Sequence, residues 1–307
     1  MGWVGGSWSA SRRAGRPRPE RSLGRVVTPW LQRRPGHPYL AGAPLLVAHR
    51  GGSLLAPENT LVAFRMAVES WWADLLEMDV RLTSDGAVVV IHDATVDRTT
   101  DGSGEVADFS LEEIQGFDAG YRFLDADGTH PFRGRGVVIP TLDEVLTAFP
   151  DVRMNIEAKE PAVARPLVEV VMRHRAEHRV LVAAEFEASR REARGYRGPW
   201  GASYHQILFF WLLHWLPGGS PYTPSADIFQ VPERRGRLRV VTPRFVRHAQ
   251  RLGIPVQIWT VNEEADMHRL LDWGVDGIQT DRPDLLSAVL TERTGRPVPP
   301  GEGRAGR

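Results

Sequence analysis

Two histidines, three carboxylates and a lysine stand where short apolar runs end. His49 follows "LLVA", Glu77 and Asp79 lie in "LLEMDV", His92 follows "VVVI", and Glu157 and Lys159 lie in "NIEAK". Strand side chains alternate between faces with period two. Leu45, Val47 and His49 therefore share a face, as do Glu77 and Asp79, then Val88, Val90 and His92, then Asn155, Glu157 and Lys159; Gln257 and Trp259 pair likewise. Three carboxylates brought together repel, and burial adds a desolvation cost. A divalent cation relieves both, and Glu77, Asp79 and Glu157 offer the all-oxygen shell that Mg²⁺ or Ca²⁺ takes, with waters and substrate oxygens completing it. Imidazoles and cations beside such an ion point to phosphoryl chemistry. The metal offsets a phosphodiester's charge as a Lewis acid, and Arg50 and Lys159 hold the non-bridging oxygens. His49 and His92 form a general acid–base pair, each role worth about 10²–10⁴-fold.

Lys159 is the only lysine in a chain that otherwise uses arginine, and a compact ammonium is not interchangeable with a planar fork at a specific site. The competing reading pairs the acids with Arg50, Arg81 and Lys159 as a structural ion network. That reading suits any one acid alone but not the whole set with two histidines beside it. His37, His130, His174, His178, His205, His214, His248 and His268 are read as structural.

Positioning these groups requires several strands whose ends converge. The chain has 307 residues, formal net charge zero and no cysteine, so disulfides and thiolate metal sites are excluded and any metal is held by oxygen or imidazole. A balanced charge gives no footing for a nucleic-acid binder. Strand-like runs at 45–49, 75–80, 87–93, 154–159, 180–185, 201–204, 226–231, 255–261 and 276–280 alternate with helical patterns. Among these patterns are a helix behind Asn59/Thr60, one opened by a Thr141–Glu144 capping box, and one over 262–274 with Asn262 as cap and Gly274 as stop. Strand–helix alternation with buried-looking strands predicts an α/β fold with a parallel sheet. The length favours a TIM (β/α)₈ barrel of about 250 residues, whose active sites lie at the C-terminal strand ends. Nine strand candidates compete for eight places. No helix fits between the second and third, and "GASY" (201–204) is the weakest.

The segments "AHRGGSLLAPENTLVAF", "LEMDVRLTSDGAVVVIHDATVDRTTDGSG", "IPTLDEVL", "NIEAK" and "IWTVNEEADMHRLLDWGVDGIQTDRP" resemble the glycerophosphodiester phosphodiesterase family. The resemblance implies a TIM barrel of the phospholipase C-like phosphodiesterase type and a divalent metal. It also implies hydrolysis of glycerophosphodiesters to glycerol 3-phosphate and an alcohol. It places His49 and His92 at the acid/base positions, Glu77, Asp79 and Glu157 at the metal positions, and Arg50 and Lys159 at the phosphate contacts. Glu58, the acid of "PENT", supports these groups, and Trp259 lines the mouth. The substrate's neighbouring hydroxyl serves as nucleophile, giving a cyclic phosphate that water opens. The alternatives are a sphingomyelinase D or phosphatidylinositol phospholipase C-like barrel, which "PENT" and "E-x-K" oppose, and a non-catalytic lipid- or metal-binding module, which the histidine pair opposes.

The domain expectation is a barrel over 44–290, with a disordered basic arm over 1–43 and a disordered tail over 291–307. Residues 118–136 are an inserted loop near the mouth, read either as a lid or as a passive surface loop. "ILFFWLLHWL" (207–216) is too short to span a bilayer, which takes roughly 20 residues. It looks similar to the corresponding part of relatives that act as lysophospholipase D enzymes. These residues either pack inward as a barrel helix or receive an acyl chain and touch a membrane surface. With no signal-peptide pattern, a cytoplasmic location with peripheral membrane contact is expected.

Overall fold

The computed structural model describes residues 38–184, 187–216 and 221–302. Five parallel strands lie side by side through β1 (Leu45–Ala48), β2 (Leu75–Leu82), β4 (Arg153–Ala158), β9 (Val256–Trp259) and β10 (Gly277–Thr280), flanked by β5 (Val180–Ala183) and β6 (Phe229–Pro232), in the order β5-β4-β2-β1-β10-β9-β6. Trp200 and Gly201 close the ring: Val182 bridges Trp200 and Gly201 bridges Ile228, both in parallel. "GASY" therefore marks the eighth staff of the barrel. The candidate outside the barrel is β3 (Val88–Val90), which folds back antiparallel on β2 with Val80 opposite Val90. The reason lies in the turn between them. Thr83 Oγ1 donates to Asp85 and accepts from Ala87 N, and Gly86 has φ 84°, so the chain reverses where a parallel strand would need a crossover.

Helices α1 (Leu61–Trp71), α3 (Leu142–Ala148), α4 (Pro161–Arg173), α5 (Glu187–Glu192), α6 (Tyr204–Leu213), α7 (Pro243–Arg251), α8 (Glu264–Asp272) and α9 (Pro283–Thr294) follow the strands, and α2 (Leu111–Ile114) lies in the excursion after β3. Thr60 accepts from Ala63 N at the start of α1, and the Thr141–Glu144 capping box opens α3, each satisfying backbone donors left over in a first turn. The expected Asn262 cap does not form; the cap is Glu263 and α8 starts one residue later, because Asn262 is bonded to Asp281.

Both terminal boundaries differ from expectation. Tyr39, expected in the arm, is buried with Leu45, Val47, Leu75, Leu181 and Ile228 inside the lower barrel, and its hydroxyl donates to Met154 O. The tail expected from 291 is helical to Thr294, and beyond it Arg296 donates to Asp74 at 2.7 Å and to Pro44 O at 2.6 Å. Burial of one ring and a guanidinium shared between the two ends hold these segments against the barrel. Residues 1–37 and 303–307 lie outside the described residues.

The excursion from 91 to 140 has a hydrophobic cluster of its own, built on Val89, Ile91, Val96, Val106, Ile114 and Ile139. The inserted loop 118–136 rests on it and is tied to itself. Asp118 accepts from Gly120 N and Gly134 N, Arg133 stacks on Tyr121 at 4.2 Å, and Phe123 meets Phe132 edge-on.

Candidate active site

Sequence spacing put six ionisable groups at strand ends, and the register of the barrel brings them together. In the β2–β4 pair, Glu77 faces Asn155 and Asp79 faces Glu157. Carboxylate oxygens of Glu77, Asp79 and Glu157 lie within 4.8 Å of one another. Two oxygens bound to one hard cation can be no farther apart than twice the metal–oxygen distance, about 4.6–5.2 Å for Ca²⁺ and about 4.2 Å for Mg²⁺, so the spacing lies within the limit for Ca²⁺ and close to that for Mg²⁺. Glu77 and Asp79 are buried, and Glu157 is half-buried. Burial, then the charges of Asp79 and Glu157, push the Glu77 carboxyl up to about 8. Asp79 moves the other way: burial disfavours its charge, but Lys159, Arg50, His92 and the Asn59 hydrogen bond together outweigh that. A site that crowds negative charge in this way is suited to a cation.

The cations stand on the same cluster. Lys159 Nζ is 3.3 Å from Glu157 and 3.5 Å from Asp79. Arg50 Nε is 3.3 Å from Asp79 Oδ2 but off hydrogen-bond alignment, while Arg50 Nη1 donates to Glu58 at 3.0 Å. The "HRGG" turn makes this possible. Arg50 itself adopts φ 52°, and its N–H donates to Glu77 at 2.9 Å. A Cβ on Gly51 would come within 2.7 Å of Ala63 Cβ, so only glycine lets α1 approach. A left-handed non-glycine residue costs of order 1–3 kcal/mol and persists where surrounding contacts hold it. Here it aims a peptide donor and a guanidinium at two of the acids.

His49 Nε2 lies 3.9 Å from Glu77, and its Nδ1 is 2.6 Å from Asp281. Burial disfavours its charged form, but Glu77 and Asp281 outweigh that and raise its pKa. His92 leaves the end of β3, and its Nδ1 is 2.6 Å from Asp93. Its burial outweighs the pull of Asp79 and lowers its pKa. Each imidazole thus has its Nδ1 held by a carboxylate, the arrangement that sets tautomer and orientation, and His49 turns its Nε2 toward Glu77. Trp259 ends β9 and is 41% exposed, which places it on the rim rather than among the charges.

Sequence reasoning missed the residues that hold these groups. Asp281, one residue past β10, accepts from Ser53 Oγ and Asn262 Nδ2 as well as meeting His49. Asn59, with φ 58°, donates to Asp79 Oδ2 at 3.1 Å instead of capping α1. Arg98 grips Glu58 with two bonds of 2.7 Å and donates to Asp93 at 2.5 Å. One guanidinium thereby links the Arg50 side of the site to the His92 side. An acid directly after a strand, as Asp281 is in "GIQTDRP", was the one available signal. Of the remaining histidines, His130, His174 and His214 bond to Phe123 O, Asp143 and Trp211 O. His37 lies outside the described residues.

The profile of the glycerophosphoryl diester phosphodiesterase family matches residues 49–193 and 215–285. A glycerophosphodiester phosphodiesterase of Caldanaerobacter subterraneus is 36% identical over 249 residues, covering 79% of this chain and 96% of that protein. A human lysophospholipase D is 28% identical over 270 residues, covering 80% of this chain and 85% of its own. Among solved structures, a glycerophosphodiester phosphodiesterase from Agrobacterium tumefaciens superposes with a TM-score of 0.65 at 26% identity, covering 80% of this chain and 99% of that one. With barrel, site and relatives in agreement, this chain belongs to the glycerophosphoryl diester phosphodiesterase family.

Proposed function

We propose that this chain hydrolyses glycerophosphodiesters to glycerol 3-phosphate and an alcohol, with a divalent cation held by Glu77, Asp79 and Glu157. The observation that carries the reading is the convergence of three carboxylates within 4.8 Å, two carboxylate-oriented imidazoles and two cations on one rim of the barrel. The cation, Mg²⁺ or Ca²⁺, supplies Lewis-acid neutralisation of the phosphodiester. Arg50 and Lys159 contact its non-bridging oxygens, where charge grows in the transition state. One imidazole of the His49/His92 pair takes the proton of the glycerol hydroxyl beside the phosphate as that oxygen bonds to phosphorus, and the other protonates the departing alcohol oxygen. Water then opens the cyclic phosphate with the roles reversed. Glu58 holds Arg50 in place, and Trp259 lines the entrance.

Product analysis tests the reading. Glycerophosphocholine and glycerophosphoethanolamine should each yield glycerol 3-phosphate; excess chelator should abolish this, and Mg²⁺ or Ca²⁺ should restore it. Undiminished turnover in chelator would remove the metal assignment, and phosphocholine with free glycerol would indicate cleavage of the other ester bond. The exposed apolar face of α6 and the lysophospholipase D relative favour a finer reading, in which lysophosphatidylcholine is cleaved to lysophosphatidic acid faster than glycerophosphocholine is cleaved. Equal or reversed rates would remove it.

A further inference from the structure

Helix α6 contains no Asp, Glu, Lys or Arg, yet only one stripe of it packs on the barrel. Gln206, Phe210 and His214 are buried, with Phe210 against Phe229 and Phe245. The opposite stripe and the turn that follows it are open: Phe209 and Leu212 are each 53% exposed, with Tyr204 beside them, and Trp215 (51%) and Leu216 continue the patch just past the helix end. A helix apolar on every side is ordinarily buried on every side, and a contiguous exposed patch of this kind marks an interaction surface. Its surroundings say what covers it. From Ser203 to Arg251 the chain has seven arginines and two acids. Asp227 is buried and accepts from Trp200 N, and Glu233 is held by both guanidinium nitrogens of Arg269. The hairpin β7 (Arg234–Arg235) to β8 (Leu238–Arg239) exposes Arg234, Arg235, Arg237, Leu238 and Arg239. It reaches α6, where Arg235 lies 4.9 Å over the Tyr204 ring. At the other end of the helix, Arg244 donates to the carbonyls of Trp215 and Leu216.

We propose that α6 and the 234–239 hairpin form a docking surface for an anionic phospholipid bilayer. Aromatic and aliphatic side chains would enter the boundary between headgroups and acyl chains, and the flanking arginines would meet lipid phosphates. A second copy of this chain on the same face would set arginine against arginine across a symmetric contact, which argues against self-association. The surface borders the candidate site: α6 begins three residues after the Gly201 bridge, the hairpin follows the C-terminal end of β6, and Pro232 registers with Trp259 on the rim. The inference deepens the phosphodiesterase reading, on which it rests for the source of substrate: a lipid-borne phosphodiester would reach the mouth from the bilayer.

Co-sedimentation of the full chain with vesicles tests this without reference to turnover. The wild type should partition onto phosphatidylglycerol/phosphatidylcholine vesicles, bind phosphatidylcholine alone much less, and be released by salt. R235S/R237S should lower partitioning about 25-fold at low ionic strength, at about five-fold per arginine. L212S/W215S should lower it by more than about ten-fold, and both variants should keep turnover of soluble glycerophosphocholine. Wild-type protein that remains in the supernatant would overturn the proposal, as would binding that neither variant reduces, since that would assign it to another basic segment. A dimer in size-exclusion chromatography that L212S/W215S dissolves would also overturn it, in favour of a second copy. Binding with no turnover of any substrate would instead remove the phosphodiesterase reading and leave the docking surface standing.

Discussion

On the β1–β2–β4 side of the mouth, charges are internal and matched. Glu77, Asp79 and Glu157 meet Arg50, Lys159 and His49, and behind them Asp281 holds His49, Asn59 holds Asp79, and Arg98 holds Glu58 and Asp93. On the β6–β9 side, arginines outnumber acids and aromatic rings face outward from α6 and Trp259. The first side resembles a preorganised electrostatic device, in which most of the polar atoms are committed to one another and repulsion among the acids is a standing cost. The second side gathers five arginines around one acid, Glu233, which Arg234, Arg239 and Arg269 share, and leaves the outer side chains of α6 exposed. The difference teaches that exposure and the balance of charge, rather than residue type, separate a catalytic surface from a contact surface: arginine serves both, half-buried among several carboxylates in the one and exposed around a single acid beside open rings in the other.

Five substitutions at four positions break or sharpen that contrast. His92→Ala should lower kcat by about 10²–10⁴-fold while thermal melting with and without Mg²⁺ retains its metal-induced shift, because the carboxylate cluster is untouched. A variant with near wild-type turnover would remove His92 from the chemistry. Arg98→Ala should cost roughly 10–100-fold in turnover, as loss of a residue that orients active groups does. Arg98→Lys should not restore it, because a point charge cannot grip Glu58 with two parallel bonds and Asp93 with a third. Rescue by lysine would reduce Arg98 to a general charge.

Asp281→Asn addresses stability. Burial disfavours the Asp281 carboxylate, but its bonds to His49, Ser53 and Asn262 hold its pKa below the ordinary carboxylate value. A depressed folded pKa contributes stability that is fully present above the unfolded value of about 3.9 and is lost as pH falls through the folded value. Asp281→Asn should therefore melt lower than wild type by about 1.5 kcal/mol at neutral pH, with the two converging in acid. A gap that stays constant with pH would mean that charge is not what Asp281 contributes. Smallest of all, Leu212→Ser on the exposed stripe of α6 should change stability by no more than about 0.5 kcal/mol. A larger loss would mean that the stripe is already covered within the chain.

Much of the site was legible because strands write their faces into sequence with period two. Glu77 with Asp79, and Glu157 with Lys159, could be placed side by side from spacing alone, and the barrel could be expected from strand–helix alternation. The lack of room for a helix between the second and third runs marked a misfit there, yet β3 reads as a good strand and "GASY" as a poor one. Apolar runs report burial but not the direction of pairing, and Trp200–Gly201 is a strand only because β5 and β6 stand on either side of it.

Local patterning suffices for which face each strand turns inward and which acids and bases share that face, since these follow from backbone geometry repeated every two residues. Only the closed barrel decides that Asp281 meets His49 across 232 positions of chain, that Asn262 turns from its expected cap to Asp281, and that Arg98 joins Glu58 to Asp93. Those contacts depend on where distant strand ends land, and that is set by register and ring closure, for which no periodicity in the chain provides a code.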